Sequence, residues 1–160
     1  MLVVCDTREQ MPYSFDLEVY RRAGVTVQRC ALPTGDYSLA GLEAQVAIER
    51  KSLPDLMACM GRERRRFMAE MERARGYRAF AVIAECSWKD IASHAYKSQV
   101  RPQAALATLM AIMARDGVPV IFAGSRAAGE YACWCFLRQF AKGKAQEAKA
   151  VLAALDVRHS

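Results

Sequence analysis

The sequence predicts an α/β domain built on a mixed β-sheet flanked by helices. Two observations carry this. Apolar runs of strand length, such as Leu2-Val3-Val4-Cys5 and Ala79-Phe80-Ala81-Val82-Ile83-Ala84, recur along the chain. Between them lie segments whose apolar residues repeat at helical spacing, such as Leu53, Leu56, Met60, Phe67 and Met71, and strands alternating with amphipathic helices are the pattern of this class. At 160 residues the chain suits one domain with a proper core and is short for two.

Each element follows in order. Residues 2–5 read as a buried strand whose carboxyl end delivers Asp6-Thr7-Arg8-Glu9. Met11-Pro12 stops any continuation, and residues 16–23 suit a short helix closed by Gly24. Residues 25–32 alternate in part and are β-branched, hence a strand, followed by the turn Pro33-Thr34-Gly35. Residues 36–39 and 45–51 form two further strands around Gly41, most simply a hairpin. Ser52 then caps a helix with Pro54 in its first turn and Asp55 at the third position after the cap.

The apolar spacing from Leu53 to Ala74 is interrupted near Gly61, which predicts one kinked helix or two consecutive ones. Residues 78–84 make another strand, with Glu85 at its end. Residues 88–99, with His94 and Lys97, are polar and irregular and read as a connector or a substrate-side loop. After Pro102 a helix carries Leu106, Leu109, Met110 and Met113 on one face. A strand at residues 117–122 follows, and then a helix over residues 125–140 with Ala132, Cys135, Phe136 and Phe140 inward. Residues 1–142 are expected to form the domain and residues 143–160 a helical tail, whose Val151, Leu152 and Leu155 would dock on the domain or on another subunit.

Composition narrows the partners. The 53% hydrophobic and 25% charged fractions are those of a globular protein, and 23 Lys+Arg against 17 Asp+Glu give a net charge of +6, which favours a polyanionic partner. No apolar run approaches about 18 residues, and residues 1–4 reach Cys5-Asp6 too soon for a secretory leader, so an intracellular protein without membrane contact is expected. Six cysteines occur without a Cys-x-x-Cys pair, which argues against disulfides or a zinc cage. Cys133 and Cys135 diverge on a helix and read as small buried residues.

The chemistry concentrates at Val46-Ala47-Ile48-Glu49-Arg50-Lys51, an apolar strand that runs into three charges. Burying those charges without partners would be costly, so the strand end is expected to open onto a site. Alternation turns Glu49 and Lys51 to one face and Arg50 to the other, and a hairpin brings Asp36 alongside Glu49 and Lys51. Two or three carboxylates at strand ends, Asp36 and Glu49 with Asp6 near, can hold Mg²⁺ by a few oxygens and leave its other positions to water and a phosphate. Lys51 can hold the attacking water and help deprotonate it, or pair with a phosphate oxygen, which is what phosphodiester hydrolysis requires. A surface ion-pair ladder is the other reading of Asp36, Glu49 and Lys51. Arg62, Arg64, Arg65, Arg66 and Arg73 form a basic helix face, either solvated and balanced by Glu63, Glu70 and Glu72 or contacting phosphates.

Cys5-Asp6-Thr7-Arg8-Glu9, Leu32-Pro33-Thr34-Gly35-Asp36-Tyr37 and Ile48-Glu49-Arg50-Lys51-Ser52-Leu53-Pro54-Asp55 together resemble the nuclease domain of the XPF/Hef structure-specific endonucleases. Their signature, GD…ERKxxxD, belongs to the PD-(D/E)XK superfamily, and Gly61-Arg62 with the basic helix fits the same order. The resemblance covers roughly residues 1–142 and implies a restriction-endonuclease-like core. It also implies a metal-dependent endonuclease using Mg²⁺, with Mn²⁺ able to substitute, that acts on flapped, forked or otherwise branched DNA in repair or recombination.

By that resemblance Asp36, Glu49 and the Arg50 backbone carbonyl hold the metal, with Asp6 as a supporting acid. Lys51 is the water-positioning base and Asp55 an orienting acid. Arg8, Arg50, Arg62, Arg65 and Arg66 are the candidate DNA contacts, Arg50 being structural or phosphate-contacting. Relatives usually append a tandem helix-hairpin-helix domain, and none is expected in residues 143–160. The resemblance therefore implies a cytoplasmic nuclease of bacterial or phage type, with a homodimer or partner protein supplying further DNA contacts. A catalytically silent DNA- or partner-binding module is the rival reading.

Overall fold

The structure is a computed structural model, and it describes residues 1–156. Strands β1 (Leu2–Asp6), β2 (Thr26–Cys30), β3 (Tyr37–Leu39), β4 (Val46–Lys51), β5 (Ala79–Ala84) and β6 (Val120–Phe122) form one sheet in the order β2-β1-β3-β4-β5-β6. β1 pairs with β2 in parallel, β3 is antiparallel to both β1 and β4, and β4, β5 and β6 run parallel to one another. The sheet is therefore mixed, and the predicted hairpin of β3 and β4 is its centre.

Helices cover both faces. α2 (Leu53–Met60), α3 (Arg64–Ala74), α4 (Trp88–Ala92) and α5 (Pro102–Asp116) pack on one, where Leu56, Met57, Phe67, Met71, Leu109 and Ile112 meet Ala47, Val82 and Ala84. α1 (Glu18–Arg22) and α6 (Arg126–Asp156) pack on the other, where Tyr20, Cys133, Trp134 and Leu137 meet Val3, Val46, Ile48 and Ile83. The two-residue period of β4 thus sends Ala47 into one core and Val46 and Ile48 into the other.

Local signals account for the boundaries. Ser52 caps α2 by accepting from the Asp55 N–H, with Pro54 in the first turn. Gly61 ends the helix, so the interruption resolves as two helices. Gly24 takes φ +62° directly after the α1 cap residue and Gly117 takes φ +68° at the α5 cap.

Four expectations change. Residues 88–92 form a short helix because Ser87 and Asp90 make a reciprocal capping box. The strand expected over residues 117–122 begins only at Val120, since Gly117 closes α5. On α5 the buried residues are Ala105, Leu109 and Ile112, while Met110 is 42% exposed. On α6 the fully buried residues are Cys133, Trp134 and Leu137, while the expected Ala132, Cys135, Phe136 and Phe140 are half-buried, packing against that core and lining a groove beside Ile121. The mean direction of apolar side chains is blurred on a helix that is apolar on more than one side.

α6 also runs unbroken through Gly143, and Glu147 ties it to the sheet edge by two hydrogen bonds from Arg78 at 2.7 and 3.1 Å. Val151, Leu152 and Leu155 beyond it are exposed. Among the described residues no helix is long and apolar enough to cross a membrane.

Candidate active site

The sheet order brings the carboxyl end of β1, the start of β3 and the end of β4 together. The approach of β3 to β4 is close: a Cβ on Gly35, which takes φ +78°, would lie 3.0 Å from the Ile48 carbonyl oxygen. The next residue is pinned from three sides. The Asp36 N–H donates to the Ile48 carbonyl at 2.7 Å, the Asp36 carbonyl accepts from the Asp6 N–H at 2.8 Å, and the Asp36 carboxylate accepts from the Arg50 N–H at 2.8 Å.

Two adjoining hollows of about 290 and 180 Å³ open here, and Arg8, Asp36, Lys51 and Arg66 line both. Glu49 lines the second and is 4% exposed. Its carboxylate is ion-paired with Lys51, the neighbour on the same face. Asp55 lines the first, with its carboxylate accepting from the Ser52 hydroxyl at 2.5 Å. Asp36, Glu49, Lys51 and Asp55 are thus gathered at one cleft.

Burial pushes the Asp36 carboxyl up to about 6, with Glu9 and Glu70 adding to the rise and Lys51 and the Arg50 N–H opposing it. A desolvated carboxylate in that condition is short of positive charge.

Asp6 is held differently. It is 1% exposed. One carboxylate oxygen accepts from the Arg8 backbone N–H and Nε, both at 2.7 Å, and the other accepts from Arg8 Nη2 at 2.9 Å and the Leu32 N–H at 2.6 Å. Burial alone would raise its pKa, but the Arg8 guanidinium and the two N–H groups hold it at about 2. Both oxygens accept hydrogen bonds, and the carboxylate orients Arg8 while lining the second hollow.

Arg50 is likewise held by carboxylates. Its side chain is 10% exposed and turned to the α6 face, where Glu85 takes it through two hydrogen bonds of 2.8 and 2.7 Å and Glu9 lies 3.6 Å away. A guanidinium so engaged anchors the strand, although Arg50 also lines the first hollow. Arg66 lines the cleft, Arg65 is exposed but lines neither hollow, and Arg62 lines a separate groove across α2.

Two residues of the basic helix that the sequence reading did not assign to the site, Glu70 and Arg73, belong to the cleft. They line it with Arg66, and Arg73 donates to the Thr34 hydroxyl at 3.3 Å. Their spacing of i, i+4 and i+7 was the available signal, but it cannot say which face of a basic helix meets the sheet edge.

Among the described residues no three acidic, histidine or cysteine side chains gather tightly enough to cage a metal unaided. Two carboxylates with bound water and substrate phosphate suffice for Mg²⁺, and Asp36, unpaired by any cationic side chain and short of positive charge, fits that donor set.

The ERCC4 domain family matches residues 5–131 of the chain. A search of curated proteins found no match. Among solved structures, XPF from Aeropyrum pernix superposes with a TM-score of 0.69 at 19% identity, over 97% of this chain and 72% of that one. XPF from Aeropyrum pernix in complex with DNA gives 0.66 at 20% identity, over 89% of this chain and 66% of that one. The likeness is one of fold: a mixed sheet with helices on both faces.

Proposed function

Because the chain belongs to the ERCC4 domain family and has the fold of an XPF-type nuclease domain, we propose that it is a Mg²⁺-dependent endonuclease cutting branched, flapped or forked DNA during repair or recombination. One observation carries the proposal: Asp36, Glu49 and Lys51 meet in a single cleft bordered by Arg8, Arg66 and Arg73. The solved complex of the Aeropyrum pernix protein with DNA supports the choice of nucleic acid.

Asp36 and Glu49, with the Arg50 carbonyl, would hold the divalent ion, Mn²⁺ serving in place of Mg²⁺. When bound, the ion lowers the pKa of coordinated water and offsets charge on the phosphate. The protein's own groups do the rest. Lys51 would donate to the attacking water or to a phosphate oxygen and hold it in line. Asp55, steadied by Ser52, orients the Lys51 end of the cleft. Arg8, Arg66 and Arg73 bind the flanking phosphates and favour the extra negative charge that develops as the water oxygen bonds to phosphorus and the strand's oxygen departs.

The apolar groove along α6 and the exposed Val151, Leu152 and Leu155 support a homodimer or partner protein as the source of further contacts, checked by sedimentation at several concentrations.

The test is cleavage of labelled flap, fork, junction, duplex and RNA substrates with Mg²⁺, Mn²⁺ or chelator, for the wild type, Asp36→Asn and Lys51→Ala. Cutting of branched DNA by the wild type alone, abolished by chelator, is the expected result. Equal cutting by both variants would sink the proposal, and DNA binding without cutting would favour the silent-module reading.

A further inference from the structure

A second concavity lies outside the cleft described above. It is a groove of about 730 Å³ between α2 and residues 95–98, lined by Leu53, Met57, Gly61 and Tyr96, with Arg62 and Lys97 among its lining residues. α2 divides it from the cleft. Asp55, Cys59 and Glu63 face the cleft, and Leu53, Met57 and Gly61 face the groove. A helix with its side chains is only about 10–12 Å across, so the two concavities are neighbours over the exposed turn at Pro54 and Asp55.

We infer that this groove receives one unpaired nucleobase of the DNA strand that crosses the cleft. The inference rests on the nuclease reading and deepens it. Three features select this occupant. The lining is apolar and includes an aromatic ring, the surface on which bases stack irrespective of sequence. The cations Arg62 and Lys97 match the phosphates on either side of a splayed base, and the Arg62 side chain is 82% exposed, with Glu63 only a loose partner at 3.6 Å. The groove also lies beside the cleft, on the other side of α2.

The outer wall is built rather than slack. The Tyr96 hydroxyl donates to the Val100 carbonyl at 2.9 Å, and His94 Nε2 lies 2.9 Å from the Ser98 carbonyl oxygen. The His94 and Tyr96 rings have centroids 4.4 Å apart, and His94 is held at φ 57°, where non-glycine residues rarely sit. A wall ordered in advance loses little conformational freedom when a base enters. The groove therefore gives this protein a means to prefer DNA with unpaired nucleotides beside the cut over plain duplex.

The experiment uses the full chain and forked DNA with chelator present, measuring affinity by fluorescence anisotropy. Single abasic sites are placed in turn at the few nucleotides either side of the cut. One abasic position is expected to weaken wild-type binding roughly 10-fold. The same abasic site should cost under about 2-fold in Ala95→Leu, which fills the mouth with aliphatic bulk but offers no flat ring, and in Tyr96→Ala. Circular dichroism melts check that both variants fold, and Ala95→Leu decides if Tyr96→Ala does not.

If forks are bound and cut but no abasic position matters, the base-binding inference is overturned while the nuclease reading stands. An abasic penalty unchanged in Ala95→Leu overturns it too, because the base then sits elsewhere. A change of sedimentation in Ala95→Leu with no change in DNA affinity assigns the groove to a protein partner and overturns it. Wild-type protein that neither binds nor cuts any DNA overturns both readings.

Discussion

The Arg50 backbone N–H donates to the Asp36 carboxylate at 2.8 Å, while the Arg50 side chain leaves on the opposite face of the sheet for Glu85. One residue therefore steadies the cleft's Asp36 with its backbone and anchors the strand behind it with its guanidinium. Removing one member of a buried ion pair strands the other, at roughly 3–5 kcal/mol. Arg126, 3.5 Å from Glu85, offsets part of that, so Arg50→Ala is expected to lose about 3 kcal/mol in urea denaturation. Its DNA affinity, measured on the folded variant at low temperature, should stay within about 2-fold of wild type, since the guanidinium is given to Glu85. A large affinity loss in a fully folded variant would place Arg50 among the DNA contacts.

Gly35 sets the distance between β3 and β4. With φ +78° and the Ile48 carbonyl oxygen 3.0 Å from where a Cβ would lie, Gly35→Ala incurs both backbone strain and a backbone clash. A loss of about 2–4 kcal/mol is expected, with Asp36 displaced and cleavage lost even where the variant is folded. Thermal melts and single-turnover cutting read the two effects separately.

Asp36 makes stability and function compete. Its folded pKa, about 6, lies above the ordinary aspartate value of 3.8, so the native state favours the protonated form. Its contribution is then fully present below pH 3.8 and is lost as pH rises through about 6. Asp36→Asn, which cannot ionise, should be more stable than wild type at pH 8 by about 1–2 kcal/mol. Millimolar Mg²⁺ should raise the wild-type melting temperature there and leave that of Asp36→Asn unchanged. A Mg²⁺ shift of equal size in both proteins would remove Asp36 from the metal site.

Asp6 has the opposite sign. Its folded pKa of about 2 lies below the ordinary aspartate value of 3.8, so its stabilisation is present above pH 3.8 and is lost as pH falls towards 2. With Arg8 70% exposed and screened by solvent, about 1–2 kcal/mol is expected. Asp6→Asn should be less stable than wild type at pH 7 by that amount, and the gap should close in acid denaturation near pH 2. Cleavage by the folded variant should fall through weaker DNA binding, because Arg8 loses its guide, with the response to Mg²⁺ concentration unchanged. A raised Mg²⁺ requirement would make Asp6 a ligand after all.

The sequence alone determined the parts that depend on short-range geometry. The period of β4 separates Glu49 and Lys51 from Arg50, because successive side chains on a strand alternate faces whatever lies around them. Ser52 and Gly61 bound α2 for equally local reasons, one accepting an N–H at the helix start and the other ending the run. The hairpin that brings Asp36 to Glu49 follows from a single turn. What only the tertiary structure decided is how each charge is used. Asp6 is taken up by Arg8 and the Leu32 N–H, and Arg50 by Glu85 and Glu9, through contacts between residues up to 41 positions apart. Glu70 and Arg73 reach the cleft only because α3 crosses the end of β4, and α6 buries Trp134 and Leu137 more fully than Phe136 and Phe140 because of where it lands on the sheet. A carboxylate's role depends on which donors surround it in space, and spacing along the chain does not carry that information.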